Sequence, residues 1–478
     1  MKAPKIESSD PPESLLDRCF EALGGESGPG HGPLYGRTHI ESLKWLQTPG
    51  IWGASPSDNS YWQGPDLPAA SQDLLDAMAG AVGGTRRFLD IASLEPFATG
   101  RFADLLTVGL GNIACSGLPV TVRILFGSHP YSKESPESLA RFLERITARV
   151  PRDNSGLKVV AGRMVTSTQG MAHTWNHAKI IASDGRRVVV GGHNLWSDDY
   201  FGFAPVHDLS ARIDGAAAAD AHRFLDQLWG WMTRNAATPS ADAVSFSVGW
   251  DSGQIIPGLL PAMAPDFVPG TLGHPALYVA RLGSGVLPGP FPGNGVVRVP
   301  CDAFRMATRS IRLSQMDLGL GYRGTKYWSP DLFQSLTDSL THPGRSVGIE
   351  IVLSDTGAVA GSGTPYSWGI TPREVLDQIR SRLADRPVTG TLKIAPIRTS
   401  ASGDVWEHGG RQVKISNHAK LWMVDDRLFH VGSDNLYPHN LQEFGYVVES
   451  PSLAAPLLRE YWNPMWTCSS KMAISLED

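Results

Sequence analysis

Cysteine is scarce in this chain. Cys19, Cys115, Cys301 and Cys468 are the only four in 478 residues, and no C-x-x-C pair or Cys/His cluster joins them. That scatter excludes the common zinc modules and points to free thiols in a reducing compartment. A basic surplus is also missing: 42 Lys+Arg against 47 Asp+Glu leave a net charge of −5. A general nucleic-acid binder normally clusters positive charge for the phosphate backbone, so that class is disfavoured. No apolar run approaches the roughly 20 residues of a membrane span. The N-terminus, MKAPKIESSDPPES, shows no apolar signal-peptide core. A cytoplasmic location is the expectation from these absences. What is present is 42% apolar and 19% charged residues, a globular composition with room for roughly two to four domains.

Residues 1–40 are rich in Ser, Pro and Gly, with one helical patch, SLLDRCFEAL. Trp45, Trp52, Tyr61 and Trp62 follow among turn residues and read as a lid packed on the core. The stretches RFLDIASL, VTVRILFG and KVVAGRMV read as strands, with FADLLTVGLGNIACSG as a helix between the first two. This is strand–helix alternation of a layered α/β domain, closed by the amphipathic helix AAAADAHRFLDQLWGWMTRN. Residues 236–295, full of Pro and Gly, read as a connection. ATRSIRLSQMDL, RSVGIEIVLSD and TLKIAPIR then repeat the earlier strand stretches. The expected organisation is an N-terminal segment (1–40), a first half (41–235), the connection (236–295) and a second half (296–478). An internal duplication of this kind predicts two similar α/β halves related by a pseudo-two-fold axis.

The signal that organises the chain is a doubled motif. His177, Lys179, Asp184, Gly191, Gly192 and Asn194 recur at identical spacing as His418, Lys420, Asp425, Gly432, Ser433 and Asn435. Asp184-Gly185 and Asp425-Asp426 each sit between apolar runs as hairpin turns. Histidine and lysine two apart on a strand point to one face, so imidazole and ammonium reach the same phosphate. A lone His-x-Lys arises by chance; its repetition with matched glycine and asparagine marks an active site. Two facing imidazoles suit double displacement at phosphorus, one attacking and the other shuttling the proton. Lysines and asparagines (Asn194, Asn435), with close backbone approach at Gly192 and Ser433, would hold the phosphoryl oxygens. Each imidazole needs a carboxylate on its other nitrogen. Asp184 and Asp425, at the turns, are poorly placed for that, whereas Asp208 and Glu443 lie downstream, each preceding what reads as a strand running back beside the motif. His173 and His177, four apart, do not converge on a strand, so no metal site is expected. His193, His207, His408, His430 and His439 read as surface or packing histidines.

At these motifs the chain resembles the phospholipase D superfamily. WLQTPGIWG, DIASLEPFATGRFADLL, SDDYFGFAPVHDLS, AVAGSGTPYS, NLYPHNLQEFGYVVESP and YWNPMW extend the likeness to the secreted actinobacterial phospholipases D over about residues 41–467. The resemblance implies the phospholipase D fold, no cofactor, His177 as nucleophile and His418 as general acid/base. Spacing alone does not choose between the two. It implies that Asp208 and Glu443 orient the histidines, with glutamate where those relatives have aspartate. Ala358 to Ile370 resembles a mobile loop beside their active-site entrance. The implied activity is hydrolysis of phosphatidylcholine to phosphatidate and choline, with transfer of phosphatidyl groups to alcohols. The implied partners are phospholipid at a membrane or micelle surface and water or a primary alcohol as acceptor, with no nucleic acid. The alternative is the same chemistry on another phosphodiester in a dedicated pathway. Both motifs lie in one chain, so a monomer is expected.

Overall fold

The computed structural model describes residues 14–27, 34–55, 66–129, 132–151, 153, 156–167, 174–235, 245–250, 272–286, 295–400 and 405–478. Tyr61, Trp62 and His173 lie outside these. The chain forms two large mixed sheets of nine strands each. In the first, Leu157–Ser167, Val120–Gly127 and Phe88–Leu94 run parallel. Ile180–Ser183, Arg187–Gly191, Asp208–Asp214 and Ser42–Thr48 then continue the sheet antiparallel. The second repeats this order with Thr391–Pro396, Gly348–Leu353, Ser310–Gln315, Lys420–Val424, Leu428–Gly432, Glu443–Glu449 and His274–Arg281. The duplication legible in the sequence is therefore a duplication of sheet topology, and the fold is the layered α/β pair that was expected.

Apolar alternation places helices on the sheets. Ala69–Gly83 and Gly100–Cys115 cover one face of the first sheet through Leu74, Met78, Phe102, Leu106 and Leu110, all buried. Ala217–Asn235 lies on the opposite face, between the two sheets: Phe224 stacks on Phe444 at 5.1 Å, and the Tyr446 hydroxyl donates to the Ala217 carbonyl. Trp45 of the first sheet meets Phe429 of the second at 5.2 Å. Burial of each such side chain is worth about 1.5–3 kcal/mol, so this shared core locks the halves together.

Four strands fall where loops were expected, one of them Phe246–Gly249, which pairs with Leu157–Ser167. Ser42–Thr48 is the edge strand of the first sheet, and His274–Arg281 its counterpart in the second, inside the Pro/Gly-rich stretch. Tyr35–Ile40 pairs with His274–Arg281, and the helix Leu15–Ala22 buries Leu15, Leu16, Cys19 and Phe20 in the core those strands share. The N-terminal residues thus complete the second half, not the first. Such short strands carry weak local patterning, and pairing with a neighbouring strand is what orders them. None of the four cysteines is in a disulfide. Among the described residues no helix is long and apolar enough to cross a membrane.

Candidate active site

Asparagine precedes each motif histidine, and the tetrapeptide NHAK occurs twice. Asn176 forms a parallel bridge to Gln442, and Asn417 to His207. The His177 amide donates to the Gln442 carbonyl at 2.9 Å, and the His418 amide to the His207 carbonyl at 2.7 Å. Gln442 and His207 immediately precede Glu443 and Asp208. Each bridge therefore sets a histidine of one half beside the carboxylate of the other. His177 Nδ1 lies 2.8 Å from Glu443 Oε1, and His418 Nδ1 lies 2.8 Å from Asp208 Oδ2. The pairs cross the halves, which no reading of one motif at a time reveals. With Nδ1 committed, Nε2 is the ring nitrogen left for chemistry. The Asn176 and Asn417 side chains fix these turns, each accepting from the amide two residues on at 3.2 Å.

The two carboxylates are held differently. Asp208 accepts from the Tyr200 hydroxyl at 3.0 Å and from the Leu209 amide at 2.8 Å. A Cβ at Gly192 would sit 1.9 Å from its Oδ1, so glycine is required there by the carboxylate. At the matching position in the second half, Ser433 donates to Glu443 Oε2 at 2.5 Å. Gly192 and Ser433, expected at the substrate, thus serve the carboxylates behind the histidines. The backbone places them there: the Gly192 and Ser433 amides donate to the carbonyls of Leu209 and Phe444, the residues next to those carboxylates.

Lys179 and Lys420 are buried, and each ammonium donates back to the carbonyl of its own motif histidine. Burial lowers Lys179 to about 7 against the opposing Glu443 carboxylate, and Lys420 to about 8 against Asp208 and Glu443. Burial and the two ammonium groups hold both His177 and His418 well below the ordinary imidazole range. Burial raises Glu443 to about 7. The site therefore gathers two lysines and two imidazoles whose charged forms burial disfavours. Asn194 and Asn435 are buried, and the Asn435 amide nitrogen donates to the Tyr437 hydroxyl at 3.0 Å.

The motif aspartates are staples. Asp184 accepts from the amides of Arg86, Arg87 and Phe88 at 2.8–2.9 Å, and Asp425 from those of Thr308, Arg309 and Ser310 and from the Thr308 hydroxyl. Burial opposes charge on Asp425, but these donors outweigh it and hold its carboxyl below the usual range. Each aspartate sits at positive φ, 53° and 54°, tying its hairpin turn to the start of the first parallel strand.

A loop closes the cleft. The Tyr366 ring stands edge-on to His418 at 4.9 Å, and its hydroxyl donates to Asp199 Oδ2 at 2.7 Å. Ser362 also donates to Asp199. The loop of the second half is thereby latched to the first, and His177 and His418 are only 6% and 5% exposed. This is the segment whose sequence resembles a mobile entrance loop.

Sequence reasoning missed Asn176, Asn417, Tyr200 and Tyr366. The repeated NHAK held the signal for the asparagines, and nothing in local sequence pointed to the tyrosines. Of the histidines read as packing residues, His193 bonds Ser210 and Thr48, His207 bonds Tyr461 and the Thr48 carbonyl, and His430 stacks on Trp422. His408 is exposed. His439 differs and is taken up below.

No family model matches the chain. It is 30% identical to the phospholipase D of Streptomyces antibioticus over 523 aligned positions, which span 97% of this chain and 89% of that protein. Among solved structures, phosphatidylserine synthase from Haemophilus influenzae Rd KW20 superposes with a TM-score of 0.54 at 13% identity. That match covers 97% of this chain and 92% of the other, and is a likeness of fold alone. Polyphosphate kinase from Porphyromonas gingivalis aligns over 94% of this chain and 53% of its own, at 10% identity and a TM-score of 0.43, too distant to argue from.

Proposed function

The chain belongs to the phospholipase D superfamily and is a phosphodiesterase or phosphotransferase; we propose that it acts on phosphatidylcholine-type phospholipids through a covalent phosphohistidine. The observation that carries this reading is the crossed pairing of two buried histidines with two carboxylates, with a lysine beside each. In the first step His177 Nε2 donates its lone pair to phosphorus. The bond from phosphorus to the headgroup oxygen breaks, and His418 supplies the proton to the departing alcohol. In the second step water or a primary alcohol gives its proton to His418 and attacks phosphorus. The P–N bond breaks, releasing phosphatidate or a phosphatidyl alcohol. Lys179, Lys420, Asn194 and Asn435 hold the non-bridging oxygens as charge moves onto them. The lysines provide the positive charge, so the scheme needs no metal ion.

The phosphodiester anion restores what burial takes away, raising proton affinity at both lysines and at His418. The scheme has one imidazole neutral as nucleophile and the other charged as acid, assigned to His177 and His418 respectively by the family resemblance. Lipid reaches the histidines only when the Tyr366 loop withdraws, so the substrate is drawn from a membrane or micelle surface into a closed site.

The test is phosphatidylcholine turnover in EDTA with ethanol present. Wild type is expected to form phosphatidylethanol and phosphatidate, and His177→Ala neither. Folded wild type that forms neither product would overturn phosphatidylcholine as substrate. Phosphatidate without phosphatidylethanol would overturn the shared covalent intermediate.

A further inference from the structure

Behind His177 lies a second imidazole. His439 Nε2 is 3.7 Å from Glu443 Oε1, the same oxygen that meets His177 Nδ1. It is also 3.2 Å from Asp434 Oδ1 and from the Asn435 carbonyl. Its Nδ1 accepts from the Leu441 amide at 3.3 Å. That acceptor role puts the proton on Nε2, which points at the carboxylates. Arg281, directly opposite Glu443 on the neighbouring strand, closes the arrangement. It binds both oxygens of Asp434 at 2.8 and 3.2 Å and the His439 carbonyl at 2.7 Å. Asp434, His439 and Glu443 bring their ligand atoms within 4.8 Å of one another, but the Arg281 guanidinium is already paired with Asp434.

Behind His418 the support is of a different kind. Asp208 is held by a neutral hydroxyl and a backbone amide. The first-half residue matching Asp434 is His193, whose ring nitrogens are taken by Ser210 and Thr48. The duplication is thus broken at this one layer. A glutamate side chain has one more rotatable bond than aspartate; its two oxygens are flanked by the Ser433 hydroxyl and the His439 imidazole, where those of Asp208 are flanked by the Leu209 amide and the Tyr200 hydroxyl.

We propose that His439 is a positioning residue that clamps Glu443 from the side opposite His177, so fixing the ring orientation and tautomer of His177 and not of His418. This rests on the reading of His177 as a reacting imidazole. The charged and titratable groups around Glu443 are His177, His439, Lys179, Lys420, His430, Tyr437 and Asp434, with Arg281 behind Asp434. Glu443 with His439 removed can swing, and His177 loses its fixed Nδ1 partner.

The experiment compares His439→Leu, which fills the space without a donor, with His439→Gln, whose amide nitrogen reaches near the ring Nε2 position. Two quantities are read: ring nitrogen shifts of His177 and His418 in substrate-free protein labelled at histidine, and kcat and KM on monomeric short-chain phosphatidylcholine. His439→Leu is expected to move the His177 resonances and leave those of His418. It should lower kcat on the order of 10- to 100-fold, as small misplacements of a reacting group do, with KM within about twofold. His439→Gln is expected to recover most of both. Wild-type His177 shifts in folded His439→Leu would overturn the proposal, as would equal damage in the Leu and Gln variants. If His439→Leu does not fold, His439→Asn, polar but too short to reach, replaces it under the same criteria. Wild type inactive on the lipid would fail the substrate assignment while the substrate-free shifts still decide the clamp.

Discussion

At the scale of single residues, burial is what gives the site its chemistry. Lys179 and Lys420 lie where desolvation pulls them to about 7 and about 8. A lysine holds phosphate only when protonated. In the free enzyme kcat/KM is therefore expected to fall as pH rises through about 7 to 8, well before an ordinary lysine titrates; an alkaline limb near 10 in a pH–rate profile would contradict this. Lys179→Ala and Lys420→Ala are each expected to lower kcat/KM by about 10²–10³-fold, the usual loss for one preorganised donor to a developing charge. The thermal midpoint should hold or rise, because each substitution removes a buried charge. His439 carries a lesson of the same scale. Read alone it is an ordinary histidine; four residues from Glu443 and opposite Arg281, it becomes part of the arrangement that holds His177.

At the scale of elements, the motif is a hairpin with its two ends in different duties. Histidine and lysine occupy the end at the cleft, and the aspartate occupies the turn at the far end. Asp425 satisfies three backbone amides and a hydroxyl there. Asp425→Ala leaves those donors without their acceptor, a loss of about 1–3 kcal/mol. Urea unfolding should register it as a lowered midpoint, while the pH profile of turnover stays in place. A shifted profile with unchanged stability would mean the aspartate acts on the histidine after all. The first hairpin has an added tie: the Gly185 amide donates to His222, whose other nitrogen bonds Asp90, itself held bidentate by Arg123 at 2.7 Å. That buried network anchors the helix Ala217–Asn235 to the strand that leads into the site.

At the scale of the molecule, the crossed pairs make the two halves interdependent. Neither half contains a histidine with its carboxylate, so the site exists only where the sheets meet. One chain supplies both, and a monomer is expected to be fully active. Sedimentation should give the mass of one chain, with specific activity constant on dilution; a dimer that loses activity on dilution would contradict this. The exchange extends to the N-terminus, where Leu15–Ala22 and Tyr35–Ile40 pack on the second half although they precede the first.

The sequence by itself determined the duplication, the strand–helix order of each half, the hairpin turns and the candidate side chains of the site. These follow from local chemistry: apolar periodicity, positive-φ turn residues and two residues on one strand face are settled within about ten positions. Only the tertiary structure decided which carboxylate serves which histidine, that Gly192 and Ser433 support carboxylates, that Tyr366 covers His418, and that His439 stands behind Glu443. Each of these depends on backbone bridges such as Asn176 to Gln442 and Asn417 to His207, which join residues more than 200 positions apart. Such contacts are selected by the fit of two assembled sheets, and neither strand carries a local pattern that names its partner.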